Sequence, residues 1–328
     1  LAGKPQPDLL LLNDEDLTFA KIRLDDRSKQ TVISAIGEIK DSLARTLIWG
    51  AAWDMTRDGE MSTGDYVALV NAGLATENDV AVVQTILRQV HAAVDQYAAP
   101  EHRDQYASAL ADNLWAWAQA ADPGSDHQLA FVRGLAAMAQ TPEQLQIVAD
   151  LLNGDRTLAG LTVDTDLRWG LLQSLAAAGL ADAERIEEEA QADATATGRR
   201  HRAMALASLP TAAAKADAWA AIMGGELPNA LLDATLGGFS RAGQAEILAP
   251  YIPQYFEQLP TIWQERTPEM AQSITMLLYP YLAVSESTAE AAEAFAAGAD
   301  VHPAAARLVG EGADSTRRAL RARAVDAD

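Results

Sequence analysis

From Asp26 onward the chain repeats one pattern: apolar residues three or four apart, in runs closed by capping residues and glycines. Val80, Val83, Leu87, Val90 and Val94 alternate steps of three and four, which puts all five on one helical face. Val32, Ile36, Ile39, Leu43 and Leu47 step in the same way, as do Leu110, Leu114 and Trp117, and Leu167, Leu171 and Leu175. A strand would send alternate members of such runs to opposite faces, so the spacing commits these segments to helices packed on helices.

The boundaries are marked. Ser125 with Gln128, Thr141 with Pro142 and Gln144, and Ser287 with Glu290 form capping-box patterns; Thr267 with Pro268 supplies a cap and a proline at the first helical position. Gly154, Gly179, Gly224 and Gly225 stand where helices should stop. The count comes to about sixteen helices of ordinary length. Between Ser125 and Gly225 the helix-turn-helix spacing is roughly 30 to 40 residues, near that of helical solenoids. The expected fold is all-α: a curved superhelix of stacked helical hairpins, HEAT- or armadillo-like. The charged stretch Glu184 to Glu189 and the small-residue run Ala190 to Gly198 are expected to form a loop or weak point.

One stretch departs from the pattern. Leu9 to Asp25, LLLLNDEDLTFAKIRLD, reads as two short strands around an acidic turn at Asn13 to Asp16. Two strands alone are marginal in water, so such a hairpin implies the edge of a sheet supplied elsewhere. The opening LAGKPQPD has neither an initiator methionine nor a basic-then-apolar signal pattern, and is expected to be an internal point of a longer polypeptide.

Forty-six acidic residues against 25 Lys and Arg give a net charge of -21. That charge repels phosphate backbones and anionic bilayers, which disfavours nucleic-acid and membrane partners. The chain has no cysteine, which excludes disulfides, thiolate metal sites and a cysteine nucleophile, and suits a cytoplasmic location. No apolar run reaches the roughly 18 residues that a membrane span needs.

Catalytic signatures are missing. The five histidines, His91, His102, His127, His201 and His302, are never four apart, so no HExxH zinc helix exists. GxMEN, GxSxG and phosphate-binding glycine loops are also absent. Ser125 beside His127 reads as a helix cap rather than a nucleophile. Abundant carboxylates would suit a helical-barrel glycosidase, but on amphipathic helices they read as solvated faces.

Two clusters remain as candidate peptide-binding sites. Arg199, Arg200 and Arg202, with His201, are the densest positive charge in the chain and could hold a peptide carboxylate; the competing role is to neutralise acids such as Glu187 to Glu189. Trp115, near Trp117 and Tyr106, could serve as an aromatic shelf, or simply pack. Trp49 and Trp53 read as core, and Arg168 as a partner for Asp164 or Asp166.

LLLLNDEDLTFAKIRLD also resembles the junction between the β-sandwich domain and the C-terminal helical domain of bacterial aminopeptidase N, a zinc gluzincin family. DSLARTLIWGAAWDMTRDGEM, PGSDHQLAFVRG, VDTDLRWGLLQSLAAAGL, DATATGRRHRAMA and STRRALRARA follow in matching order, and are similar to the high-GC Gram-positive version. The resemblance implies that residues 1–26 end the preceding sandwich and residues 27–328 form the helical domain. It also implies that the upstream catalytic domain of the same polypeptide holds the zinc and removes N-terminal residues from peptides. This chain would then carry no metal or cofactor of its own, would not hydrolyse peptides, and would cover the active site and control peptide access. The alternative is a free-standing helical-repeat scaffold that binds another protein.

Overall fold

A computed structural model describes residues 3–328. Leu1 and Ala2, with which the expected segment 1–26 begins, lie outside the described residues. Helices dominate, and no strand occurs among the described residues. The fold class is all-α.

The expected hairpin is therefore corrected. Its turn exists: Asn13, Glu15 and Asp16 have positive φ, and the Asn13 side chain closes the loop onto the Thr18 main chain, accepting its amide at 2.8 Å and donating to its carbonyl at 2.7 Å. The flanks form no ladder. Leu10 instead sends its amide to the Ser28 hydroxyl, and Leu24 sends its amide to the Met55 sulfur. Ile22 and Leu24 are buried, while Leu10, Leu12, Leu17 and Phe19 stand exposed. With no third strand to extend them, these segments take tertiary contacts in place of pairing.

The chain resolves into two compact units. The first runs to Ala139 and includes Leu158–Leu161 and Arg321–Asp328. Its helices are α1 (Asp26–Ala35), α2 (Ser42–Asp58), α3 (Thr63–Gly73), α4 (Val80–Ala92), α5 (Pro100–Ala120) and α6 (Asp126–Met138), with a π turn at Ala93–Tyr97. Val83, Val90 and Val94 are buried as expected, with Leu87 half-buried on the same face, and Leu110 and Leu114 are buried too. The Val32 to Leu47 stripe is not one helix. It breaks after Ala35 into a 3-10 turn at Ile36–Glu38, and Asp41 recaps the chain by accepting the Leu43 and Ala44 amides, which leaves Leu43 exposed. Trp49 is buried; Trp53 is half-buried, its ring beside those of Tyr66 and Tyr97.

The core of this unit contains an ion pair. Arg45 grips Glu77 through two bonds of 3.0 and 2.9 Å, and its remaining nitrogen donates to the Ile39 and Lys40 carbonyls. Burial opposes the charge on Glu77, but Arg45, the Asn78 amide and the Trp49 indole hold its carboxyl below the usual range.

The second unit comprises Gln140–Thr157 and Thr162–Leu320. It contains α7 (Pro142–Asn153), α8 (Thr165–Ala177), α9 (Ala183–Ala192), α10 (Ala196–Ser208), α11 (Ala212–Gly224), α12 (Asn229–Phe239), α13 (Ala245–Leu248), α14 (Tyr251–Glu265), α15 (Pro268–Leu277) and α16 (Glu286–Ala296). It also holds α17 (Pro303–Ala327) as far as Leu320. Thr141 and Gln144 form the reciprocal capping box, and Thr267 caps α15. The cap of α16 is Ser285, two residues before the expected Ser287. Glu184 to Gly198 is not a loop: α9 and the start of α10 occupy it, joined across Asp193–Thr195.

Helix α12 lies directly against α10. A Cβ at Gly238 would come within 2.2 Å of the Met204 carbonyl oxygen, so only glycine allows the approach. Ile222, Leu236, Leu259, Ile274 and Val309 fill the buried cluster of this unit, each worth about 1.5–3 kcal/mol on burial.

Candidate functional site

The basic cluster Arg199–Arg202 opens α10. Thr195 caps the helix by accepting the Gly198 amide at 3.0 Å. Asp193 supports that cap: it accepts the Thr195 hydroxyl at 2.7 Å and the Trp169 indole at 3.0 Å, which hold its carboxyl below the usual range. A Cβ at Gly198 would approach the Asp193 carbonyl oxygen to 2.1 Å, so the glycine permits this joint.

The four basic residues then separate by environment. Arg202 is held by Glu187, whose two oxygens lie 2.7 and 2.9 Å from Arg202 Nε, and this pairing lowers the Glu187 carboxyl. His201 stacks on the buried Trp169 with rings 5.7 Å apart and nearly parallel, and receives the Gln173 amide on Nδ1 at 3.2 Å. Its Nε2 faces Asp166 at 3.4 Å. Arg199 and Arg200 are exposed and make only local bonds, to the Ala194 carbonyl and the Thr197 hydroxyl. Two guanidinium groups are thus presented to solvent, while Arg202 neutralises an acid.

Arg168 also serves the framework. Its acid is Glu189, bonded through both oxygens at 2.7 Å, rather than Asp164 or Asp166; its third contact is the Leu152 carbonyl. Asp164 instead caps α8 by accepting the Leu167 amide. Trp115 lies half-buried on α5 and belongs to the first unit, the arginines belong to the second, and Trp117 packs its ring on Phe131.

Ser125 accepts the Gln128 amide, and His127 donates Nε2 to the Glu77 carbonyl at 3.0 Å, so the two form no dyad. Among the described residues no three His, Asp or Glu side chains gather closely enough to hold a metal ion. The residues present do not fit a zinc site.

Several buried charged residues escaped the sequence reading, Lys215 and Asp326 among them. Lys215, in the alanine run of α11, is fully buried and donates to the Ala207 carbonyl at 2.6 Å and the Phe239 carbonyl at 2.7 Å, at the C-terminal ends of α10 and α12. Asp326, in the last turn of α17, accepts the Gly64 and Ala99 amides at the starts of α3 and α5. The available signal was slight: a single lysine among alanines, and an acid near the end of a helix where dipoles disfavour it.

Comparison with known proteins places these features. Over all 328 residues the chain is 47% identical to the Aminopeptidase N of Streptomyces lividans, and it spans 38% of that protein's length. Among the described residues no helix is long and apolar enough to cross a membrane. The ERAP1-like C-terminal domain model matches residues 9–318, and the chain belongs to that family.

Proposed function

We propose that this chain is the non-catalytic C-terminal domain of a zinc aminopeptidase N, and that it covers the active site and controls which peptides enter. Zinc and the chemistry that removes N-terminal residues belong to the upstream part of the polypeptide. Residues 1–26 belong with the preceding sandwich and residues 27–328 with the helical domain. The pairs α7–α8, α9–α10 and α11–α12 are successive layers of a curved helical stack. Arg199 and Arg200 meet the carboxylate of longer peptides, Arg202 orients the cluster through Glu187, and Trp115 offers an aromatic contact. The polypeptide acts in the cytoplasm.

The observation that carries this reading is where the apolar surface lies. Of nine exposed large apolar side chains among the described residues, four (Leu10, Leu12, Leu17 and Phe19) fall within ten consecutive positions. A patch so concentrated marks a surface made for covering, and the longer relative supplies the polypeptide to cover it. A free-standing scaffold gains no support from 47% identity to part of a named peptidase.

The test replaces Leu17 and Phe19 together by aspartate. In this chain alone, stability should stay within about 0.5 kcal/mol, because both side chains are already exposed. In the longer polypeptide the pair should cost about 2 kcal/mol or more, because it buries charge at a covered surface. Equal, negligible effects in both would overturn the reading.

A further inference from the structure

A cleft of about 350 Å³ opens in the second unit between the end of α14, the end of α16 and the start of α17. Its walls mix aromatic and apolar side chains (Trp263, Phe295 and Leu259) with polar ones (Gln264, Asp300 and His302). Trp263 is fixed, because its indole donates to the Thr275 hydroxyl at 2.9 Å and its ring stacks on His302 with centroids 4.4 Å apart and planes 18° from parallel.

The polar groups on this cleft favour a cation. Asp300 is exposed on its lining and has no partner among the described residues. An anion would want the first amides of α17, and those of Ala304 and Ala306 are taken. Pro303 has none, the Ala304 amide goes to His302 Nδ1 at 3.3 Å, and the Ala306 amide goes to the His302 carbonyl.

A cleft with a fixed flat aromatic wall and an unpaired carboxylate suits an apolar stem that ends in a planar cation. We infer that this cleft binds an arginine side chain of a peptide, with the guanidinium on Asp300 and the stem against Trp263 and Phe295. The assignment stands on this cleft alone and does not rest on the aminopeptidase reading.

The probe is N-acetyl-arginine amide, which carries the guanidinium without a competing carboxylate. The readout is the Trp263 indole resonance of the ¹⁵N-labelled chain, identified by its loss in Trp263→Phe. The resonance should shift saturably at probe concentrations up to about 20 mM. Asp300→Asn, at an exposed position, should weaken binding about tenfold. N-acetyl-citrulline amide, of the same shape but neutral, should produce no saturable shift. The assignment is overturned by an unmoved resonance, by equal binding of the citrulline probe, or by an Asp300→Asn chain that binds as tightly as the original.

Discussion

The Asp326 carboxylate accepts the main-chain amide of Ala99 at 2.8 Å, joining the last turn of α17 to the N-cap of α5. Its other oxygen accepts the Gly64 amide, also at 2.8 Å, in the first turn of α3. One buried anion thus satisfies two helix starts, where free amides and positive dipole ends coincide. Lys215 is the converse in the second unit: one buried amine donating to carbonyls at two helix ends.

Asp326→Ala should cost about 2–3 kcal/mol, because it leaves two N-terminal amides without an acceptor. Urea unfolding measures the loss, and hydrogen exchange should accelerate at Gly64 and Ala99. Unchanged exchange at both amides would show that the carboxylate does not hold these helix starts.

Lys215 gives the second unit a pH dependence of known sign. Burial, with the Arg241 guanidinium nearby, pushes its ammonium down from 10.5 to about 7. Between those values the unfolded chain holds a proton that the folded chain lacks, so stability rises with pH, by at most about 1.4 kcal/mol per unit. Below about 7 both states are protonated and this contribution is flat. Buried tyrosines such as Tyr279, raised to about 12, favour the folded state less as pH climbs past 10. Denaturation at pH 7 and pH 9 should therefore show the increase, and Lys215→Met should abolish it.

Arg45→Met should destabilise the first unit by about 3–5 kcal/mol, because Glu77 would stay buried without its partner. Adding Glu77→Gln should recover much of that loss. A double-mutant cycle with no coupling would contradict the pairing.

In the longer polypeptide, replacing Arg199 and Arg200 by alanine should raise KM for longer peptides about threefold or more, through loss of charge-assisted bonds. The KM for a dipeptide substrate should stay unchanged. Stability should move by less than about 0.5 kcal/mol, since both side chains are exposed. Arg202→Ala should affect stability more than the other two, because Arg202 holds Glu187.

Much of the fold was legible because helix faces and caps are local. Val83, Val90, Leu110, Leu114, Leu167 and Leu171 are all buried on the faces that their spacing defines, and Thr141 and Thr267 cap where expected. The misreadings share a cause. Ile36 to Leu43 keeps helical spacing across a break set by Asp41, and Leu9 to Asp25 has strand-like content without a sheet to join. Partner choice was illegible for the same reason: Arg168 reaches Glu189, 21 residues on, past two closer acids. Lys215 and Asp326 earn their roles wholly from helix ends brought together by packing.

The most direct measurement is hydrolysis of an alanyl chromogenic substrate by this chain and by the longer polypeptide, with zinc present and after chelation. The account predicts no release by this chain under either condition, and chelator-sensitive release by the longer polypeptide. Chelator-sensitive release by the purified chain alone would contradict it.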